Sequence, residues 1–205
     1  MYEVLQTYRP NMMQSDILKK LHIDEKKYFV VSAHREENIA SEKNFQNLCT
    51  ILNRIAETFE LPVIVTTHPR TRKMIEIKKI IFNPLVKLEK PFGLSDYLHL
   101  QTHAKAVLSD SGTISEESSI LRFPALNIRE AHERPEAMEE AAVMMCGLNP
   151  ERVLQCLRHL EAEAGQGSTF RMPADYTMPN VSDKVLRIIL SYTDYVKRVV
   201  WKKYH

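Results

Sequence analysis

Residues 108–136 read LSDSGTISEESSILRFPALNIREAHERPE, and this stretch decides the fold. Val107 and Leu108 close a short apolar strand, and Ser109-Asp110-Ser111-Gly112-Thr113 form a tight polar turn. From Ile114 onward, Ile114, Ser118 and Leu121 recur at helical spacing, so a helix opens at the turn. A strand that runs through a Gly-containing turn into a helix aims backbone N–H groups outward at the positive end of the helix dipole. That is a seat for phosphate. A further strand over 125–128 carries the chain to Arg129, Glu133 and Arg134 near the same rim. The expected ligand is an anion, and a nucleotide diphosphate fits best.

Outward from this stretch, short β-branched runs alternate with longer amphipathic ones. Strands are predicted over 28–32, 63–67, 86–88, 106–109, 125–128 and 143–146. Helices are predicted over 14–21, 42–59, 70–79, 95–103, 113–122, 135–140 and 151–162. Strands that are apolar throughout and alternate with helices imply an α/β fold, a doubly wound parallel sheet covered on both faces. In such open sheets ligands sit beyond the carboxyl ends of the strands.

Residues 14–165 make up this unit. Residues 1–13 read as a connector with no element able to pack alone. Region 166–205 combines a Gly/Ser-rich stretch, a loop spaced by Pro173 and Pro179, and a helix from about 181 to 201. Its Val185, Ile188, Ile189, Tyr192, Val196 and Val199 form an apolar stripe that must pack on this domain or on a partner.

Two hundred and five residues suffice for one domain with an appendage. A net charge of +2, with no Lys/Arg block interleaved with aromatics, argues against a nucleic-acid surface. No apolar run approaches a bilayer span and no signal region opens the chain, so a cytoplasmic, membrane-free protein is expected. Cys49, Cys146 and Cys156 lack CxxC spacing and sit in apolar segments, which suits buried reduced thiols. GxGxxG, a Walker lysine loop and a metal-ligand cluster are all missing, so neither cofactor nor metal is expected.

The strand ends hold the chemistry. His34 follows the apolar run VVS directly, where an imidazole can donate to phosphate or move a proton; Arg35 is beside it. His68 reads equally as a structural residue or a ligand contact. Arg70 can reach a phosphate, while Pro69 suits a first helical position. Tyr97 is either core or a platform for a base. Glu116 and Glu117 fall at a helix N-terminus, where the dipole favours carboxylates; one of them can instead accept from ribose hydroxyls. Arg134, just before a proline, is well placed to meet a diphosphate bidentately, although its loop also reads as a surface ion-pair network.

Five motifs in this order, AHREEN (33–38), THP (67–69), SDY (95–97), SDSGTISEE (109–117) and ERPE (133–136), resemble the C-terminal half of the non-hydrolysing UDP-N-acetylglucosamine 2-epimerases. The resemblance covers essentially the whole chain. It implies one half of a GT-B-type fold, two Rossmann-like domains facing across a cleft. It also implies a reaction that eliminates UDP from C1 with loss of the C2 proton and then re-adds UDP.

Carried over residue by residue, Ser111, Gly112 and Thr113 would hold the diphosphate, with Arg134 on its other side. Glu117 would take the ribose hydroxyls, Tyr97 would sit by the uracil, and His34 would lie beside the phosphate and the reacting sugar as the catalytic residue. Glu36 stands where the family commonly has a second Arg, and Thr113 where it has a second Gly. HREEN, DSGTISEESSI and NIREAHERPE are similar to the branch that forms UDP-N-acetyl-L-fucosamine for capsule or O-antigen. The family's N-terminal domain, with its proton-moving acidic residues, has no counterpart here. The implied partners are therefore a UDP-sugar, that missing half, and a second copy in a homodimer. A glycosyltransferase half and a non-catalytic nucleotide-sugar module are the competing expectations.

Overall fold

Apolar runs of four residues form the centre of the sheet in this computed structural model, which describes residues 1–35, 41–131, 134–164 and 170–203. The strands are β1 (Phe29–Ser32), β2 (Val63–Thr66), β3 (Val86–Glu89), β4 (Ala106–Ser109), β5 (Ala125–Asn127) and β6 (Met144–Met145). They pair in parallel in the order β3-β2-β1-β4-β5-β6. β1, β2 and β4 are buried along their whole length, as strands covered on both faces must be. β3 lies at an edge and is half-buried, which explains its mixed Val-Lys-Leu-Glu sequence.

The helices are α1 (Tyr2–Met13), α2 (Ile17–Leu21), α3 (Glu42–Phe59), α4 (Pro69–Ile77), α5 (Leu94–His103), α6 (Ile114–Leu121), α7 (Pro135–Glu139), α8 (Pro150–Glu163) and α9 (Val181–Val199). On one face, Leu48, Leu52 and Ile55 of α3 and Val153, Leu154 and Leu157 of α8 pack on Phe29, Val31, Val65, Leu108 and Leu126. On the other, Leu100 of α5 and Ile114 of α6 pack on Val30, Ile64 and Val107. Each fully buried Leu, Ile or Val removes enough apolar surface to contribute about 1.5–3 kcal/mol. Helix ends carry the expected caps: Ser41 Oγ accepts from Asn44 N at 3.3 Å, and Asn149 Oδ1 from Arg152 N at 3.1 Å. The sheet is doubly wound and Rossmann-like, and the strand order reverses between β1 and β4.

One expectation needs correction, and both terminal segments take a definite form. Within 1–13, Tyr2–Met13 is a helix, and its Leu5 and Met12 are buried against Leu98, Ile120 and Leu121. Two buried anchors beside exposed Val4, Tyr8 and Met13, with Pro10 inside the helix, gave a weak periodic signal. The last strand shrinks from 143–146 to Met144–Met145, because only Leu126 and Asn127 of β5 remain to pair with it. The stripe of α9, expected to pack on this domain or on a partner, does not pack on this domain. Ile188 is 57% exposed and Tyr192 56%, and no residue of α9 is buried. Its start is tied to α1, where Asn180 N donates to Glu3 Oε1 at 2.9 Å.

Cys49 and Cys146 are buried, and burial pushes their thiols up to about 11 and about 12; Cys156 is half-buried. Among the described residues no helix is long and apolar enough to cross a membrane.

Candidate functional site

β1 and β4 run side by side to the pair Ser32–Ser109, where their ladder ends. The loops that leave them diverge, as they must at a switch point, and a crevice of about 340 Å³ opens there. It is lined by Ser32, His34 and Arg35 from the β1 side, by Ser109 to Ser111 and Thr113 from the β4 side, and by Tyr97 and Glu117 from α5 and α6. A larger cavity of about 450 Å³ lies at the opposite, amino ends of the strands, walled by Phe29, Ala106, Phe123 and Leu157. Of its charged lining residues, Lys105 pairs with Glu161, Arg171 with Glu140 and Glu163 with His159, and Arg122 also lies on its wall. The convergent polar groups are at the β1/β4 crevice, and the chemistry is placed there.

His34 is half-buried, and its Nε2 lies 3.0 Å from Thr66 Oγ1 at the end of β2. Its Nδ1 is buried without a hydrogen-bond partner among the described residues. Burial pulls the imidazole below its ordinary pKa; the charge of Asp110 opposes this and His68 adds to it. A mainly neutral ring results, able to accept or pass a proton.

The turn that follows β4 is fastened by hydroxyls. Ser111 N donates to Ser109 Oγ at 3.1 Å, Thr113 N to Ser111 Oγ at 3.3 Å, and Ser111 Oγ and Thr113 Oγ1 lie 2.9 Å apart. Gly112 is half-exposed between them. These groups stand at the N-terminus of α6, where the dipole favours negative charge.

Of the two acidic residues in the first turn of α6, Glu117 faces the crevice and Glu116 turns away. Glu117 is 8% exposed, and its Oε2 accepts from the amide of Gln101 at 2.8 Å. Tyr97 packs beside the core yet lines the crevice, so the two alternatives for it meet in one position. Burial raises its phenol pKa well above the ordinary value, with Ser32 and Gln101 hydrogen bonds acting the other way.

Arg134, the N-cap of α7, does not line the crevice. Its guanidinium meets Glu116 Oε1 at 3.0 Å, while Nε is buried without a partner among the described residues. His68 and Arg70 also lie outside the lining: His68 caps α4, Nδ1 accepting from Arg70 N at 3.3 Å, and both are exposed. Arg129 is buried at the end of β5. Glu36, His132 and Glu133 lie outside the described residues. No group of three or more metal-ligating side chains occurs among the described residues.

Two residues of the site went unread in the sequence. Asp110 accepts from the backbone N–H of both His34 and Arg35, each at 2.8 Å. Gln101 holds Glu117. A signal existed for Gln101: Leu94, Leu98 and Gln101 share one helical face, so a polar side chain stood at an apolar-spaced position. For Asp110 the signal was only a carboxylate inside a turn.

Known proteins resemble this chain in sequence and in fold. A protein from Methanococcus maripaludis called UDP-N-acetylglucosamine 2-epimerase is 33% identical over 154 residues, covering 70% of this chain and 42% of the relative. A solved structure of UDP-N-acetylglucosamine 2-epimerase from Rickettsia bellii is 40% identical with a TM-score of 0.82, over 98% of this chain and 54% of that one. The MnaA protein of S. aureus, solved with UDP, is 27% identical with a TM-score of 0.69, over 88% of this chain and 48% of that one. The chain thus spans about two fifths to one half of the length of these relatives. The family described as UDP-N-acetylglucosamine 2-epimerase matches residues 1–190, and this chain belongs to that family.

Proposed function

We propose that this chain is the UDP-binding half of a sugar-nucleotide 2-epimerase that works by elimination and re-addition of UDP. The observation that carries the reading is the β1/β4 crevice, which gathers His34, Tyr97, Ser111, Thr113 and Glu117 at a topological switch point. UDP would enter with its diphosphate at the 111–113 turn, its ribose at Glu117 and its uracil at Tyr97. Breaking the anomeric C–O bond leaves extra negative charge on the diphosphate. The α6 N-terminus and the His34 imidazole are preorganised donors for that charge, and this is where they would accelerate the reaction.

Among the described residues, the crevice offers the C2 proton no carboxylate that lacks a partner. The carboxylates lining it are Asp110 and Glu117, and both are already engaged, by backbone amides and by Gln101. The acid–base groups are therefore assigned to a second Rossmann-like domain, completing a GT-B-type pair, and the exposed stripe of α9 is the surface that domain would cover. A homodimer is the assembly proposed for the completed enzyme, and the cytoplasm is its compartment. DSGTISEESSI and NIREAHERPE further favour the L-fucosamine branch and a role in capsule or O-antigen formation.

Calorimetry tests the reading: UDP should bind with roughly micromolar to millimolar affinity, and the isolated chain should not epimerise UDP-sugars. Turnover by these 205 residues alone would refute the assignment of the acid–base groups elsewhere. Transfer of sugar to an acceptor after the other half is supplied would favour a glycosyltransferase instead.

A further inference from the structure

Beyond Ser32 and Ser109 the β1/β4 ladder stops, yet the two chains stay tied for two more residues. The tie is Asp110. Its side chain belongs to a residue 3% exposed, and one oxygen, Oδ2, accepts from His34 N and from Arg35 N at 2.8 Å each. Arg35 Nε returns a bond to the Asp110 carbonyl at 3.0 Å, and Asp110 N donates to Ser32 O at 3.1 Å. Hydrogen bonds to an ionised acceptor are the strong ones, and a buried carboxylate that receives two amides is anchored on both sides. Segments 76 residues apart in the chain thus become a single edge, with His34 at one end and the 111–113 turn at the other.

We propose that Asp110 is a positioning residue: its carboxylate fixes the His34 backbone relative to the 111–113 turn, so that imidazole and turn address the same phosphate. This rests on the reading that the crevice binds UDP. Asp110 Oδ2 is spent on two backbone groups, and the residue acts through His34. Among the described residues, the groups acting on the His34 ring are Asp110 from the β4 end and His68 and Thr66 from the β2 end. Of these, Asp110 is the one whose charge favours the protonated ring.

Two variants of the full chain separate geometry from charge. In Asp110→Asn the amide oxygen can still accept from both backbone groups, but the charge is gone. In Asp110→Ala the oxygen that accepts from both part-buried N–H groups is lost. UDP binding is read by calorimetry. The His34 ring is titrated by NMR, its signals assigned by their loss in His34→Gln.

Asp110→Asn should keep UDP affinity within about threefold while moving the His34 titration to lower pH. Asp110→Ala should weaken UDP by about tenfold or more. An unmoved His34 titration in Asp110→Asn would overturn the proposal, and so would wild-type UDP affinity in Asp110→Ala. If Asp110→Ala does not fold, the Asn titration still decides. Wild-type chain that fails to bind UDP would sink the functional reading instead, and the titration would then test Asp110 separately.

Discussion

Replacing Gln101 with Leu tests how the ribose side of the crevice is held. Gln101 is 1% exposed; its Nε2 donates to Glu117 Oε2 at 2.8 Å, whereas its Oε1 is buried with no partner among the described residues. Removing a hydrogen bond to a carboxylate costs about 1.5–3 kcal/mol, and removing a buried, unsatisfied carbonyl returns about 1–3 kcal/mol. Leu has nearly the volume of Gln, so no cavity term enters. These two effects offset, but the hydrogen bond between Gln101 and Tyr97 is lost as well, so stability should fall by about 0.5–1.5 kcal/mol, measured by urea unfolding. Affinity should not escape so lightly. Glu117 loses the donor that orients it, and UDP binding by calorimetry should weaken about tenfold. A stability loss above about 3 kcal/mol would refute the offset, because it would mean the carbonyl was satisfied all along. Unchanged UDP affinity in a folded variant would refute the claim that this amide sets the carboxylate that meets the ribose.

Other outcomes follow from the same structure. Arg134→Ala should leave folding within about 1 kcal/mol, since a half-exposed ion pair contributes little; if Arg134 exchanges Glu116 for the diphosphate, as the family resemblance implies, UDP should weaken far more than uridine, and equal losses in calorimetry would make the residue purely structural. His34 carries a pKa held below the ordinary 6.5 by burial. The unfolded chain therefore binds the proton more readily, and stability should fall as pH drops through 6.5 until the folded value is reached. Comparing urea midpoints of wild type and His34→Gln at pH 8 and pH 5.5 isolates that contribution, and a parallel pH response in the two proteins would contradict it. Ile189→Glu on the exposed stripe of α9 should alter stability by less than about 0.5 kcal/mol but reduce self-association in sedimentation; unaltered association would remove that face from any interface.

The sheet was legible because VVS, VIVT and AVLS leave no choice of face: strands buried on both sides need no alternation, and the helical runs between them set parallel order. The 109–113 turn was legible for the same local reason, a polar cluster wedged between an apolar strand and an apolar helical face. Contacts between distant segments were not. Whether Arg134 meets a ligand or Glu116 depends on how α7 lies against α6. The grip of Asp110 on His34 depends on β1 and β4 being neighbours, a property of strand order. His68 could be read either way, and the structure gives its ring to the backbone of Arg70. For α1 the information is confined to Leu5 and Met12, too few anchors to stand out in twelve residues.

The hydroxyls of Ser109 and Ser111 already receive the amides of Ser111 and Thr113. An arriving oxyanion therefore trades places with an internal acceptor. Such an exchange has a small heat of its own and asks little rearrangement of the loop. Selection then falls on what a hydroxyl lacks, which is formal charge in front of the α6 axis. The site should discriminate sharply by ionisation state, taking the diphosphate over the monophosphate and nearly ignoring a neutral ester of the same shape.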